Sequence, residues 1–190
     1  MNLKFLMHLH FVLILAAIPS VCLAQSSENG SLLPEFTMPV PEESNYRVYL
    51  GLNESADKTF SVYDIDTDIL MIELFSMYCP FCQEEAPAVN ELYELAEKLP
   101  ETGPQFKIIG LGANNSSFEV NHFRATFDIA FPLFSDKDMA LYKLLKGAGT
   151  PGFIVAKRGV DGTFSIIHQQ SGGFNGAEQF LREMLAKAEK

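Results

Sequence analysis

Two largely apolar runs in the middle of the chain, residues 69–75 and 106–112, are the clearest elements that the hydrophobic pattern predicts. Strands that are covered on both faces have such runs, because neither face of the sheet meets water. Between the two runs, apolar residues recur three and four positions apart from residue 89 to residue 99, which predicts a helix. The centre of the chain is therefore predicted to be a strand–helix–strand unit of an α/β domain.

The chain before the first apolar run is predicted to contain short strands only. Three β-like runs lie at residues 35–40, 46–50 and 59–63, and turn-forming residues separate them. We expect them to form an N-terminal β extension of the domain.

The second half of the chain is predicted to contain three helices and one hairpin. Ser116 and Glu119 form a capping-box pattern at the start of a helix that continues to about residue 127. A glycine-containing turn between two β-like runs predicts a hairpin, and a later apolar stripe predicts an amphipathic closing helix. These elements are a short helix from Asp136 to about residue 145, strands at 152–156 and 163–168, and a helix at 180–188.

Residues 1–24 are predicted to be an export signal. Lys4 supplies the positive charge, an apolar run follows over residues 5–18, and residues 22–24 offer a cleavage site of the small-x-small type. The alternative is an uncleaved anchor, because residues 5–23 could just cross a bilayer. Cleavage predicts an exported protein of the periplasm, and retention predicts a membrane-anchored protein that faces outward.

The remainder of the chain is predicted to be one domain. Residues 25–33 are polar and small, which predicts a flexible leader, and residues 34–190 are long enough to bury one hydrophobic core. The formal net charge is −10, and removal of residues 1–24 would make it −11 because only one lysine is lost. This charge argues against a nucleic-acid partner. We expect a monomer that contacts the membrane only if the signal is uncleaved.

Cys79 and Cys82 are the only cysteines after the predicted signal. They follow the first apolar run and begin the predicted helix, where free backbone N–H groups and the helix dipole stabilise a thiolate at Cys79. Cys82 lies one turn further on the same helix face, where it can resolve a mixed disulfide. The pattern indicates a redox-active Cys79–Cys82 disulfide, without another cofactor and without a metal.

A structural disulfide and a zinc site are the alternatives for this pair. A disulfide that closes so short a loop would contribute only about 2 kcal/mol to stability. A zinc site would need a second close pair of ligands beside the cysteines. His122 and His168 are the only histidines after the signal, and they lie far in sequence from the cysteines and from each other. The redox interpretation is favoured over both.

The order of elements around the C-x-x-C motif resembles the thioredoxin-like superfamily, and within it the exported TlpA/ResA-type thiol:disulfide oxidoreductases. The export signal, residues 82–87 as a C-x-x-E-x-P stretch, the extra helix after Ser116 and the sequence Gly149-Thr150-Pro151 carry the resemblance. It extends from about residue 33 to the C-terminus. It implies a thioredoxin-like fold, with a central mixed sheet flanked by helices, an N-terminal β extension and an extra helix between the two halves.

The resemblance also implies roles for individual residues. Cys79 would exchange with the disulfide of a protein substrate, and Cys82 would resolve the intermediate. Pro151 matches the family's cis-proline, and Thr150 beside it would pair with an extended substrate segment. Tyr78 stands where the family usually has Trp. The residues expected to contact substrate are Tyr78, Pro80, Phe81, Thr150 and Pro151.

Two carboxylates are further candidates for the site. Glu73 interrupts an apolar run and matches a buried acid of thioredoxins, which could accept the proton of Cys82; burial would raise its pKa. The alternative is a glutamate at a strand edge that reaches solvent. Glu85 matches an acid that ResA-type proteins keep near the cysteines, and a solvated helix residue fits its pattern equally well.

Three functions stay open from the sequence. The first is an exported oxidoreductase for protein disulfides, a reductant by family analogy, which serves cytochrome c maturation or envelope disulfide repair and has a membrane or envelope redox donor. The second is a peroxidase of the peroxiredoxin type, although those enzymes place Thr where this chain has Ser76. The third is a non-catalytic binding module. The motif does not decide the direction of electron flow, because C-x-x-C proteins span about −270 to −120 mV.

Overall fold

The computed structural model describes residues 30–52 and 58–190, so the predicted export signal lies outside the described residues. Strands and helices alternate through most of the described chain, and two strands form a hairpin before the last helix. In order they are β1 (Thr37–Pro39), α1 (Ser44–Leu50), β2 (Thr59–Ser61), a 3-10 turn (Val62–Asp64), β3 (Ile69–Phe75), α2 (Pro80–Glu97), β4 (Phe106–Ala113), α3 (Ser117–Thr126), β5 (Leu133–Asp136), α4 (Ala140–Leu144), β6 (Gly152–Arg158), β7 (Phe164–Ser171) and α5 (Ala177–Ala188).

The main sheet of the described chain has five strands in the order β5-β4-β3-β6-β7. Strands β3, β4 and β5 run parallel, whereas β6 runs antiparallel to β3 and β7 runs antiparallel to β6. Strand β3 is central, and all seven of its residues are buried. The predicted mixed α/β sheet of thioredoxin type is confirmed, and the carboxyl ends of its parallel strands meet at one edge.

The two faces of the sheet have separate hydrophobic cores. Met71 and Phe75 point toward the face that α2, α3 and α5 cover, whereas Leu70 and Ile72 point toward the face that α1, α4 and the first strands cover. Successive side chains of a strand alternate in this way. Glu73 therefore lies on the α2 face of the sheet.

The strand predicted at residues 46–50 is wrong, because this segment forms helix α1. Tyr46 and Leu50 are buried, whereas Val48 between them is 78% exposed. Apolar residues two apart suggested a strand, but burial of residues four apart is the helical pattern. Gly51 ends the helix at φ 75°, and its N–H and that of Leu52 bond to carbonyls of the last turn.

Strand β5 is an element that the sequence pattern did not predict. It has only four residues and lies at the edge of the sheet beside β4. The predicted short helix after Asp136 is present as α4, and the carboxylate of Asp136 accepts the N–H groups of Leu141 and Tyr142 at 3.0 and 2.7 Å. A four-residue run before a helix start is too short to be recognised by its periodicity.

Residues 25–33 were predicted to be a flexible leader, and this prediction is wrong for residues 30–33, the part of the leader that the structure describes. Leu33 is fully buried, and its N–H bonds to the carbonyl of Phe164 at 2.8 Å. Ile166 also donates to the carbonyl of Ser31 at 2.8 Å, so this segment pairs with the start of β7. The ordered domain therefore begins no later than Gly30. No helix within residues 30–52 and 58–190 is long and apolar enough to cross a bilayer.

Gly51→Ala is expected to destabilise the fold by about 2–3 kcal/mol, since an alanine there combines an unfavourable backbone conformation with overlap of its Cβ with the Cβ of Asp66. Gly162→Ala is the matched control, because Gly162 has a similar φ of 85° but only Arg158 at 4.0 Å from the added Cβ. We expect the control to lose about 1 kcal/mol in urea unfolding. Equal losses in the two variants would contradict this account.

Candidate active site

Cys79 lies at the N-terminus of α2, just beyond the carboxyl end of β3. Its backbone is extended, with φ −89° and ψ 111°, and Pro80 begins the helix. Proline suits this position because its missing N–H has no partner in a first turn. The Sγ of Cys79 accepts the N–H of Cys82 at 3.3 Å. The side chain thus occupies the N-cap, where a thiolate is stabilised.

The two cysteines have opposite environments. Both are free thiols, with Cys79 half-buried and Cys82 buried. Burial raises the pKa of Cys79, but hydrogen bonds with Cys82, Thr150 and the backbone of Phe81 outweigh it, so the pKa lies below its ordinary value. Burial and the hydrogen bond to Cys79 raise the pKa of Cys82 far above its ordinary range. Cys79 is therefore suited to attack, and Cys82 needs a base before it can react.

The loop before β6 contacts the reactive thiol. The Sγ of Cys79 lies 3.2 Å from the carbonyl oxygen of Thr150, 71 residues further along the chain. The Thr150–Pro151 peptide bond is cis, as the resemblance implies, and Pro151 is buried. The Pro151 carbonyl accepts the N–H of Gly172 at 2.8 Å, which connects this loop to the end of β7. Thr150 and Pro151 therefore form one wall beside the cysteine.

Glu73 is a buried acid on the central strand β3. It is 1% exposed, and neither of its carboxylate oxygens has a hydrogen-bond partner. Burial, with a smaller contribution from the charge of Glu85, raises the pKa of Glu73 to about 8. It lies on the same sheet face as the cluster that contains Cys82. The alternative of a solvent-reaching glutamate at a strand edge is excluded, and the carboxyl group can take up or release a proton near neutral pH.

Glu85 connects α2 to the loop between β7 and α5. Its Oε1 accepts the N–H of Phe174 at 2.9 Å. Its Oε2 packs against Gly173, where an added Cβ would overlap the carboxylate. Glu84 beside it is exposed. Glu85 is therefore a fixed, half-buried charge close enough to Glu73 to affect its pKa, rather than a solvated helix residue.

Exposed aromatic side chains flank Cys79. Phe81 is 68% exposed and Tyr78 is 64% exposed. Phe81 borders a groove that reaches the end of β7, and the groove is lined by Phe81, Glu84, Glu85, Thr150, Pro151 and residues 171–173. On the other side, the hydroxyl of Tyr78 donates to Glu119, which raises the pKa of Tyr78. The structure brings all five expected substrate-contacting residues, including the exposed Pro80, to the rim around Cys79.

Two residues of this region were missed in the sequence. Asn115 is fully buried, and its Oδ1 accepts the N–H of Met77 at 2.8 Å. Glu119 caps α3 by accepting the N–H and hydroxyl of Ser116 at 2.6 and 2.7 Å, and it also accepts the hydroxyl of Tyr78. The capping-box pattern marked Glu119 as a helix residue only. No local pattern marked Asn115.

The described residues contain no group of three or more His, Cys, Asp and Glu side chains that could hold a metal ion. His168 bonds instead to Gln170 at 2.7 Å through Nε2 and to Lys187 at 2.8 Å through Nδ1. It connects β7 to α5. His168 is therefore engaged in structural contacts.

The sheet order, the dithiol at the start of α2 and the cis-proline loop beside it define a thioredoxin-like protein. The chain belongs to the AhpC/TSA family, whose family model matches residues 30–166. This match and the fold confirm the expected superfamily and place the chain among thioredoxin-like oxidoreductases. A search of curated proteins finds no match.

Solved structures with the same fold cover most of the chain. A thiol:disulfide interchange protein of the thioredoxin family from Chlorobium tepidum is 17% identical, with a TM-score of 0.58 over 85% of this chain and 97% of its own. StoA of Bacillus subtilis is 18% identical, with a TM-score of 0.54 and coverages of 78% and 95%. A secreted Mycobacterium tuberculosis disulfide oxidoreductase homologous to Escherichia coli DsbE is 14% identical, with a TM-score of 0.53 and coverages of 80% and 95%.

Proposed function

We propose that the protein is an exported thiol:disulfide oxidoreductase, which exchanges the Cys79–Cys82 pair with protein substrates and works as a reductant in the periplasm. The observation that carries the proposal is the contrast between a half-buried Cys79 with a lowered pKa and a buried Cys82 with a raised pKa. A structural disulfide needs no such contrast. The fold that the chain shares with a thiol:disulfide interchange protein and with a secreted disulfide oxidoreductase supports the proposal.

The reaction proceeds in two exchange steps. The Cys79 thiolate attacks a substrate disulfide, so that a bond forms between Sγ of Cys79 and one substrate sulfur while the other leaves as a thiolate. Cys82 then transfers its proton to the Glu73 carboxylate and attacks Sγ of Cys79, which releases the second substrate sulfur. The substrate gains two electrons, and the Cys79–Cys82 disulfide is the oxidised product.

Each cycle as a reductant requires two electrons from outside the chain. We propose a membrane or envelope dithiol as the donor, and cytochrome c maturation or envelope disulfide repair as the process served. The Cys79 rim suits an extended protein segment, since its aromatic side chains are exposed and the groove continues to residues 171–173. The midpoint potential of the pair, measured against glutathione, decides the direction. A potential near that of DsbA, about −120 mV, would reverse it.

Cys82→Ser is expected to trap the intermediate of the first step. Cys79 of this variant still attacks, but the serine that replaces Cys82 cannot resolve the mixed disulfide. With oxidised insulin, we expect a covalent adduct on Cys79 that non-reducing electrophoresis and peptide mass mapping detect. The variant with both cysteines replaced by serine is the control and should form no adduct. Absence of the adduct while Cys79 remains a free thiol would contradict the proposal.

A peroxidase is the second candidate, because the matching family is the AhpC/TSA family. In that case Sγ of Cys79 would attack a peroxide oxygen, and Cys82 would condense with the resulting sulfenic acid to give the disulfide and water. Ser76 lies where peroxiredoxins carry Thr, and its hydroxyl accepts a bond from Asn115 at 3.4 Å. Peroxide consumption and insulin reduction, measured on the same sample, separate the two candidates.

A further inference from the structure

A fully buried asparagine connects the carboxyl end of β4 to the turn that carries Cys79. The Oδ1 of Asn115 accepts the N–H of Met77 at 2.8 Å, and its Nδ2 donates to the carbonyl of Asn114 at 3.0 Å. Nδ2 also lies 3.4 Å from the hydroxyl of Ser76. Both ends of the amide therefore have partners, and the side chain bridges 38 residues of sequence.

The residue itself is held from the sheet side. Its N–H donates to the carbonyl of Gly112 at 3.0 Å, and its carbonyl accepts the hydroxyl of Ser135 at 2.6 Å. An added Cβ on Gly112 would lie 3.1 Å from the Cβ of Asn115, so glycine permits the close approach of the two residues. A buried polar side chain that is fixed in this way holds its hydrogen-bond partners in a defined position relative to the sheet.

Asn115 binds the centre of a tight turn, residues 76–79. The turn is closed by the N–H of Cys79, which donates to the carbonyl of Ser76 at 3.0 Å. The carbonyl of Met77 accepts the side-chain amide of Gln83 at 2.7 Å. Asn115 and Gln83 therefore hold the N–H and the carbonyl of the same residue from opposite sides.

The orientation of this turn determines where the sulfur of Cys79 lies. As the N-cap residue, Cys79 directs Sγ toward the N–H of Cys82 at 3.3 Å only while its backbone keeps the extended conformation. A rotation of the preceding peptide would move the sulfur from the donors at the start of α2. A thiolate that loses these donors is less stable and forms at higher pH.

We propose that Asn115 is a positioning residue, which holds the turn of residues 76–79 so that Sγ of Cys79 stays at the N-terminus of α2. It acts through Met77 and makes no hydrogen bond to Cys79 itself. The inference rests on Cys79 as the nucleophile of the proposed function. It adds a residue of the β4–α3 connection to the groups that control the reactivity of the thiol.

The test is the pH profile of the alkylation of Cys79 in the reduced full-length protein. Iodoacetamide reacts with the thiolate, so its rate reports the thiolate fraction, and mass mapping assigns the modified cysteine. We expect Asn115→Ala to react about three- to tenfold more slowly than wild type near pH 6 and to reach its plateau at higher pH. The control is Asn90→Ala, which removes an equivalent side-chain bond to the Phe127 carbonyl and should keep the wild-type profile.

A second variant covers the case in which Asn115→Ala does not fold. Gln83 is exposed, so Gln83→Ala leaves the core intact while it removes the other bond to Met77. We expect a shift of the profile in the same direction and of smaller size. If each of these two variants that folds has the wild-type pH profile of Cys79 alkylation, the inference is overturned. Alkylation requires no protein substrate, so it tests the inference independently of the proposed function. If wild-type Cys79 has a lowered pKa by alkylation but the protein does not reduce insulin, only the proposed function is rejected.

Discussion

Cys79→Ser is expected to reduce insulin-disulfide reduction to the uncatalysed rate, which is the largest effect of any single substitution considered. Serine is a favourable N-cap residue and can keep the hydrogen bond from the N–H of Cys82. Its hydroxyl, however, is not ionised at neutral pH and cannot form a bond to sulfur under these conditions. The rate is followed by the turbidity of the released insulin chains, with dithiothreitol as the electron donor and the protein as the only catalyst.

The same variant tests whether the loss is chemical or structural. Since Cys79 is half-buried and serine suits its backbone, we expect the free energy of unfolding to change by less than about 1 kcal/mol. Cys82→Ser also loses turnover but keeps a Cys79 that alkylates rapidly. Turnover by Cys79→Ser at the wild-type rate would place the nucleophile elsewhere. A wild-type pair that stays oxidised in reduced thioredoxin and in glutathione would favour the binding module.

The centre of the site could be predicted because each of its parts has a local pattern. The C-x-x-C motif directly follows an apolar run and precedes apolar residues at helical spacing, so the strand, the helix start and Cys79 at its first turn are visible together. Glu73 was recognisable as a single charge inside an apolar run. The structure retains these elements, with β3 at residues 69–75 and α2 from Pro80.

The parts that could not be predicted depend on contacts between distant residues. The bond from Met77 to Asn115 joins positions 38 apart, and that from Tyr78 to Glu119 joins positions 41 apart. No periodicity records such a pair. Helix α1 was misassigned for a related reason, since Tyr46 and Leu50 fit both an alternating strand and a helix face until the core shows which side is covered.

Glu73→Gln is expected to slow the resolving step about a hundredfold, because glutamine cannot accept the proton of Cys82. In wild type, this step should accelerate as the carboxyl group of Glu73 ionises, at a pKa of about 8. The variant should lack that rise. Stopped-flow measurement of the decay of the mixed disulfide between pH 6 and pH 9 separates this step from the first attack.

The same substitution is expected to change how stability depends on pH. The ordinary pKa of glutamate, 4.5, applies to the unfolded chain, and burial raises that of the folded state to about 8. Between these values only the unfolded chain ionises, so wild type loses about 1.4 kcal/mol of folding free energy per pH unit from this group. Glutamine has no such dependence. The variant should therefore gain stability relative to wild type from pH 5 to pH 8 in urea unfolding.

Two controls assign the effect to burial of this carboxyl group. Glu94 is exposed, with Lys98 at 3.5 Å, so Glu94→Gln should leave the pH slope of stability unchanged. Glu85→Gln removes the charge that contributes to the raised pKa of Glu73, so it should move the upper end of the window to lower pH. If Glu73→Gln instead keeps the wild-type slope, the group is ionised in the folded protein throughout this range. It could then not serve as the base that titrates with the resolving step.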